Sequence, residues 1–362
     1  MYRSFHVRNF RCFRDLTLTG LERVNLIAGA NNVGKTTLLE ALFLHCGAYN
    51  PSLTLRLNPL RGIQMVKLEF GHGAEAPWDS LFAGFDTSES VELSGENEAT
   101  GGRRLTLKLL RTPEELAQVS QVTQQATEPS EFVPVSPETP AVVELEYSTD
   151  GGQSGRYLMV LDQKGDFRVQ PVPPPPPFFA LFLPARGRVP LADDAERFGR
   201  MEVVGRQDVV SEALQVIEPR LCRVAVVVRG GVPMLHGDIG LGRLIPLPLM
   251  GGGMARLASL VLAIGDASGG VVLVDEIENG LHHSVLPRVW QAIGEVARRF
   301  STQVFATTHS FECIVSAHQA FSANGPYDFR LHRLERTQQD IRAVTYDQET
   351  LEAAIETGLE VR

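Results

Sequence analysis

The stretch GANNVGKTT, residues 29–37, constrains this chain more than any other. Gly29, Gly34, Lys35 and Thr36 fit the spacing of a phosphate-binding loop: glycine, four residues, then Gly-Lys-Ser/Thr. An apolar run, Val24 to Ala28, precedes it, and TTLLEALFLHC follows with the character of an amphipathic helix. A strand, a loop and a helix in that order give the pattern its structural context. Glycines let backbone N–H groups turn inward around phosphate oxygens, and the helix N-terminus adds the positive end of its dipole. The expected cradle is Gly29, Ala30, Asn31, Asn32, Val33, Gly34, Lys35, Thr36 and Thr37. Lys35 would reach β- and γ-phosphates, and the Thr36 hydroxyl would hold Mg²⁺. An ordinary glycine-rich turn is the competing explanation, and the flanking strand and helix argue against it.

At 362 residues and 43% apolar content the chain can build a sizeable core. A net charge of −9 argues against a protein that coats nucleic acid by bulk electrostatics, although a local basic patch remains compatible with it. The four cysteines, Cys12, Cys46, Cys222 and Cys313, are widely spaced and form no CxxC pair. Reduced, mostly buried thiols in a cytoplasmic protein are therefore expected. The N-terminus lacks the apolar core of a signal peptide, and no apolar run is long enough to predict a membrane span.

Three stretches differ in style. Residues 1–50 hold the strand-like SFHVRNF and LTLTG and then the phosphate-loop unit. Residues 51–177 read as an inserted β-rich lobe, with antiparallel strands at MVKLEF, SVELSGE, RLTLKLL, VVELEY, YLMVLD and FRVQ. Within it, 112–141 is rich in Gln, Thr, Pro and Glu and reads as a surface insertion, part short helix and part disordered. PVPPPPP, 171–177, reads as a stiff tether that ends the lobe. Residues 178–362 return to alternating strands and helices. They include helices in 193–221, the strand pair RVAVVVRGG and VPMLHGD, a helix after Gly253 and the buried strand VVLVDE. A helix around SVLPRVWQAIGEVARRF, the strand QVFATTHS, a hairpin and a closing helix complete the region.

VVLVDE ends an apolar strand in Asp275 and Glu276, a costly place for two acids unless cations are near. Beside a phosphate loop, the first acid would hold Mg²⁺ through water and the second would polarise the attacking water. QVFATTHS brings His309 to the end of the next strand, where open α/β sheets place their ligands, so a hydrogen bond to the γ-phosphate is expected. For His282 and His283, functional and purely structural roles stand level. Metal binding by this adjacent pair is not expected, because neighbouring residues cannot share a face.

The ordered set GANNVGKTT, MGGGMAR, VVLVDEIENGLH and TTHS resembles ABC-type ATPase heads of the RecF, SMC and OLD (overcoming lysogenization defect) group. The likeness is nearest to bacterial stand-alone OLD-like ATPases. It spans the first 50 residues and roughly the last 180. It implies an α/β P-loop NTPase: a single ABC-type head over 1–362, with a mixed sheet and an expanded antiparallel β lobe. It further implies Mg²⁺-dependent ATP hydrolysis with Glu276 and His309 as catalytic residues, and Arg11 near the nucleotide. Gly251, Gly252, Gly253 and Arg256 would form a signature loop that meets the ATP of a second subunit. Glu278, Asn279, Gly280, Leu281 and His282 would form a D-loop crossing that interface. The chain departs from the family pattern twice. Glycine stands at 251 in place of the transporter serine and at 252, where this clade often carries Asp. No glutamine stands at the Q-loop position after FFALFLPA, where Arg186 and Arg188 stand instead; phosphate, DNA, a partner or solvent are equally compatible with them.

Three functions follow from this resemblance. The first is an ATP-hydrolysing switch in DNA maintenance or anti-phage defence, an ATP-dependent homodimer working with a separate effector. OLD-type proteins carry a Toprim nuclease, which needs an Asp-x-Asp pair that this sequence lacks. Any nuclease is therefore expected on another chain. The second is an ATP-gated scaffold with little turnover. The third, a transporter ATPase subunit, fits poorly with the missing serine and the β-rich insertion.

Overall fold

The structure, a computed structural model, describes residues 1–362 except 63–77, 99–100, 113, 118–141, 162–166, 177, 186–188, 324 and 339. MVKLEF, most of 112–141, Arg186 and Arg188 lie outside the described residues.

Two sheets organise the molecule. The first joins seven strands in the order β2-β1-β4-β5-β6-β7-β8. These are β1 (Tyr2–Phe10), β2 (Phe13–Thr19), β4 (Val91–Asn97), β5 (Gly101–Leu110), β6 (Val142–Thr149), β7 (Ser154–Leu161) and β8 (Phe167–Gln170). Every pairing in it is antiparallel. The strands read in 51–177 thus extend a sheet begun by the first two strands of the chain. Residues 171–176, largely exposed, carry the chain from β8 to the second sheet.

The second sheet has six strands in the order β16-β15-β3-β14-β13-β9. Its members are β3 (Val24–Ala28), β9 (Ala180–Leu183), β13 (Val271–Val274), β14 (Gln303–Thr307), β15 (Phe329–Arg336) and β16 (Ile341–Tyr346). Five run parallel and β16 pairs antiparallel to β15, so the sheet is mixed. Its strands are apolar on both faces, as parallel strands covered twice must be. Val24, Leu26, Val272, Val274, Val304 and Ala306 face one core, whereas Ile27, Val271, Leu273 and Phe305 face the other.

The helix after the phosphate loop, α1 (Lys35–Cys46), explains the second core. It touches β4 on one side and β9, β13 and β14 on the other, so it is clamped between the two sheets. Thr37 to Leu42 and Leu44 to Cys46 are all buried. The amphipathic reading of this helix is corrected: both its faces meet a sheet, and its polar residues Glu40 and His45 are buried and partnered. A short helix that sequence reading passed over, α2 (Leu53–Leu60), follows.

The other core packs helices on the far face of the mixed sheet. These are α3 (Leu191–Val203), α4 (Asp208–Leu214), α5 (Gly252–Asp266), α6 (Leu286–Arg299) and α7 (Phe311–Ala323), with α8 (Gln348–Glu356) closing the chain. Helix α7, FECIVSAHQAFSA, was also missed. A three-stranded sheet of β10 (Arg223–Arg229), β11 (Val232–Asp238) and β12 (Ile245–Pro246) leads into α5. No helix among the described residues is long and apolar enough to cross a membrane.

Candidate functional site

The carboxyl ends of β3, β14 and β13 lie side by side, and each delivers one part of the site. This is where open parallel sheets collect ligands. From β3 comes the loop 29–34, from β14 come Thr307, Thr308 and His309, and from β13 come Asp275 and Glu276.

The loop needs its glycines. Gly29 has φ 141° and Gly34 has φ 92°, values that side chains rarely adopt. A Cβ on Gly34 would also lie 2.6 Å from the Phe13 ring and 2.7 Å from Cys12 Sγ, so the turn between β1 and β2 presses on the loop. Asn32, also at positive φ, offers its carbonyl to Arg336 Nη2 at 2.7 Å. Lys35 folds back into the loop, donating from Nζ to the carbonyls of Gly29 at 2.7 Å and Ala30 at 3.0 Å. Burial lowers its pKa, and the nearby Asp275, Glu276 and Glu278 oppose that shift.

Thr36 Oγ1 donates to both carboxylate oxygens of Asp275 at 3.0 Å. A hydroxyl and a buried carboxylate converging from two elements form the hard oxygen set that Mg²⁺ accepts. The residues therefore fit the metal that the motif implies.

Glu276 stands at φ 47°, left-handed for a non-glycine residue. Such a conformation persists only where the surroundings over-determine it. Here four contacts hold the residue, one of them the Asn279 backbone N–H on its carbonyl at 3.1 Å. Its N–H donates to Thr307 Oγ1 at 2.8 Å, Arg256 Nη2 donates to its carbonyl at 3.4 Å, and Asn279 Nδ2 donates to Oε2 at 2.6 Å. Thr307 in turn donates to Asp275 Oδ1 at 2.6 Å, so one hydroxyl ties both acids to β14. Sequence reading missed Thr307, whose only signal was a threonine at a strand end.

Four expected residues sit differently from their anticipated roles. Arg11 directs its guanidinium to the fully buried Glu40 of α1, with Nε 3.0 Å from Oε2, rather than into the loop. Glu40 also receives Arg61 at 2.6 and 2.9 Å, and Arg61 reaches Thr37 Oγ1 at 3.0 Å. This Arg11–Glu40–Arg61 triad was not anticipated either. Arg256, expected at a partner's phosphate, points into its own chain and donates to the carbonyls of Asp275 and Glu276. Asn279 likewise serves its own chain's Glu276. His282 caps the turn at 283–285, its Nδ1 accepting from Ser284 N–H at 3.3 Å, and its ring lies tilted by 38° against that of His283, centroids 4.2 Å apart.

The signature stretch lies at the start of α5. Gly251 has φ 119°, and Gly251 and Gly252 are exposed, with nothing within 4 Å of where a Cβ would stand at either. Gly253 packs inward, where a Cβ would lie 3.3 Å from the Gly280 carbonyl and 3.7 Å from Leu281. The signature and D-loop stretches thus touch within one chain.

Comparisons with known proteins bear on the family and the fold. A family profile described as "AAA domain, putative AbiEii toxin, Type IV TA system" matches residues 24–314. A Helicobacter pylori protein named "ATP/GTP phosphatase" is 22% identical, over 97% of this chain and 97% of its own. An uncharacterised protein of Methanocaldococcus jannaschii is 46% identical over 108 residues, 30% of this chain and 47% of its own. Among solved structures, an SMC head bound to the C-terminal winged-helix domain of ScpA superposes with a TM-score of 0.50. It covers 98% of this chain and 99% of its own at 12% identity, a likeness of fold alone. The chain belongs to that AAA-domain family, as an ATPase whose fold is like that of an SMC head.

Proposed function

We propose that this ATPase is a Mg²⁺-dependent switch that closes head to head around ATP. The observation that carries the reading is the exposed Gly251–Gly252 pair at the start of a 15-residue helix, tied through Arg256 and Gly253 to its own catalytic turn. Backbone N–H groups at such a helix start favour an anion. A γ-phosphate held by a second copy supplies one. Arg256 would then link a phosphate docked at the signature to the backbone of Glu276.

Within one site, Lys35 and the 29–37 backbone hold the phosphates, and Thr36 and Asp275 hold Mg²⁺. The metal, when bound, neutralises charge on the phosphate oxygens. Glu276 accepts the proton of the attacking water, and Asn279 fixes which way its carboxylate faces. His309, half exposed beside Glu278, donates a hydrogen bond to the γ-phosphate. A role in DNA maintenance or anti-phage defence, with a separate effector such as a Toprim-like nuclease, draws support from the toxin–antitoxin description of the family. Nucleic-acid binding belongs to that role rather than to the bulk charge of the chain. A second reading, an ATP-gated scaffold with slow turnover, draws on the glycine at 251 where a hydroxyl would otherwise meet phosphate.

Sedimentation of Glu276→Gln with ATP and Mg²⁺ tests the proposal. A neutral amide removes the base, which typically slows hydrolysis by ~100- to 10,000-fold, and so preserves the ATP state. A dimer that forms with ATP, not with ADP, and disappears on adding Gly252→Glu is expected. Assembly that ignores both nucleotide and Gly252 would move the interface elsewhere.

A further inference from the structure

Glu278 is an acid near the site that neither metal binding nor proton transfer uses. Resemblance assigned it to a subunit interface, yet its side chain is only 11% exposed and turns into its own chain. One oxygen, Oε1, gathers three groups from the end of β14. Thr308 Oγ1 donates to it at 2.7 Å, the His309 backbone N–H donates at 3.1 Å, and His309 Nδ1 lies 3.4 Å away. The turn that carries Glu278 is itself sewn to β14, because Ile277 N–H donates to the Thr307 carbonyl at 3.0 Å. Thr308 is fixed further by its N–H on the Ile27 carbonyl at 3.0 Å and by Ser310 N–H on its hydroxyl at 3.0 Å. The carboxylate therefore meets a rigid loop, and the group in that loop left to be oriented is the His309 ring, which is 54% exposed.

We infer that Glu278 is the positioning residue of His309, holding the imidazole with Nδ1 inward and Nε2 toward the phosphate side. The inference rests on the proposed role of His309 at the γ-phosphate. A carboxylate oxygen facing Nδ1 only accepts, so the neutral ring carries its hydrogen on Nδ1. Once protonated, the ring donates from both nitrogens, from Nδ1 to Glu278 and from Nε2 to an anionic oxygen. A carboxylate that merely capped the loop would leave the ring free to turn and would leave its tautomer to solvent.

Nitrogen-15 NMR of histidine-labelled full-length protein reads the tautomer directly, with the His309 signals assigned by their loss in His309→Gln. The Nδ1–H form is expected for the neutral ring, shifting toward the solution-favoured Nε2–H form in Glu278→Gln. An Nε2–H tautomer in the unmodified protein overturns the inference without any variant. In steady-state ATP hydrolysis, Glu278→Gln should lower kcat by ~10- to 100-fold, as loss of an orienting partner does elsewhere, with KM changed far less. If Glu278 acts through His309, the double variant Glu278→Gln/His309→Gln should be no slower than His309→Gln alone. Additive losses would mean that Glu278 works elsewhere, for example between subunits. Unchanged turnover in His309→Gln would instead remove the role of His309 itself, a failure distinct from that of Glu278.

Discussion

Replacing Thr307 with valine keeps the shape of the side chain and removes one hydroxyl, which makes it a sharp probe of the catalytic turn. That hydroxyl donates to Asp275 Oδ1 at 2.6 Å and accepts from the Glu276 N–H at 2.8 Å. A hydrogen bond to a charged group contributes about 1.5–3 kcal/mol, and a buried N–H left without an acceptor costs about 1–3 kcal/mol. Thr36 still donates its one hydroxyl hydrogen to the Asp275 carboxylate, lying 3.0 Å from both oxygens, so the carboxylate keeps another donor and the lower end applies to the first loss. The expected destabilisation is ~2.5–4.5 kcal/mol, a large share of the stability of an ordinary domain. A second effect falls on chemistry. The left-handed turn at Glu276 loses one of its four restraints, so ATP turnover should fall by at least ~10-fold beyond any loss of folded protein. The assay is urea denaturation of Thr307→Val and Thr307→Ser without nucleotide, followed by steady-state ATPase rates at a temperature where both variants are folded. Serine keeps the hydroxyl and should recover most of both losses. If valine lies within ~0.5 kcal/mol of the parent and turns over ATP within twofold, Thr307 does not tie the two acids together.

Lys35→Ala removes a cation that backbone donors cannot replace, so ATP binding should disappear in a titration with a fluorescent ATP analogue; retained affinity would remove the phosphate-loop reading. Glu40→Ala leaves the guanidinium groups of Arg11 and Arg61 facing each other beside α1, and breaking a buried ion pair on one side typically costs ~3–5 kcal/mol. Its denaturation midpoint should drop accordingly, and an unchanged midpoint would make the triad a surface-like pairing. His45 and His332 are both fully buried, and burial foremost, with Arg103 or Arg330 adding to it, lowers each pKa to about 3. Between an unfolded value of about 6.5 and that folded value, only the unfolded chain takes up these protons. Stability should therefore be complete above pH 6.5 and fall as pH drops, by about 1.4 kcal/mol per pH unit for each histidine. Denaturation at pH 7.5, 6 and 5 checks this, and a flat profile would contradict it.

What the chain announced by itself is the chemistry that depends on local backbone form. Gly29, Gly34 and the Lys35-Thr36 pair were legible because a loop that turns N–H groups inward needs those residue types at that spacing. Asp275, Glu276 and His309 were legible because each ends an apolar run that only a covered parallel strand accommodates. Their adjacency was not, since no local pattern states that β14 lies between β3 and β13. Roles carried by long-range side-chain contacts were decided only in the folded molecule. Thr307 was invisible because its partners come from another strand, 31 and 32 residues away in sequence. Arg11 sits within a recognisable opening motif, yet Glu40 claims its charge because α1 is buried between two sheets and an acid there needs cations. The same burial misled the reading of α1, whose sequence records apolar residues but not that two sheets cover both its faces. Arg256 and Glu278 were legible as members of their motifs, but that both side chains contact their own chain was not, because a side chain's direction follows from its neighbours and not from its motif.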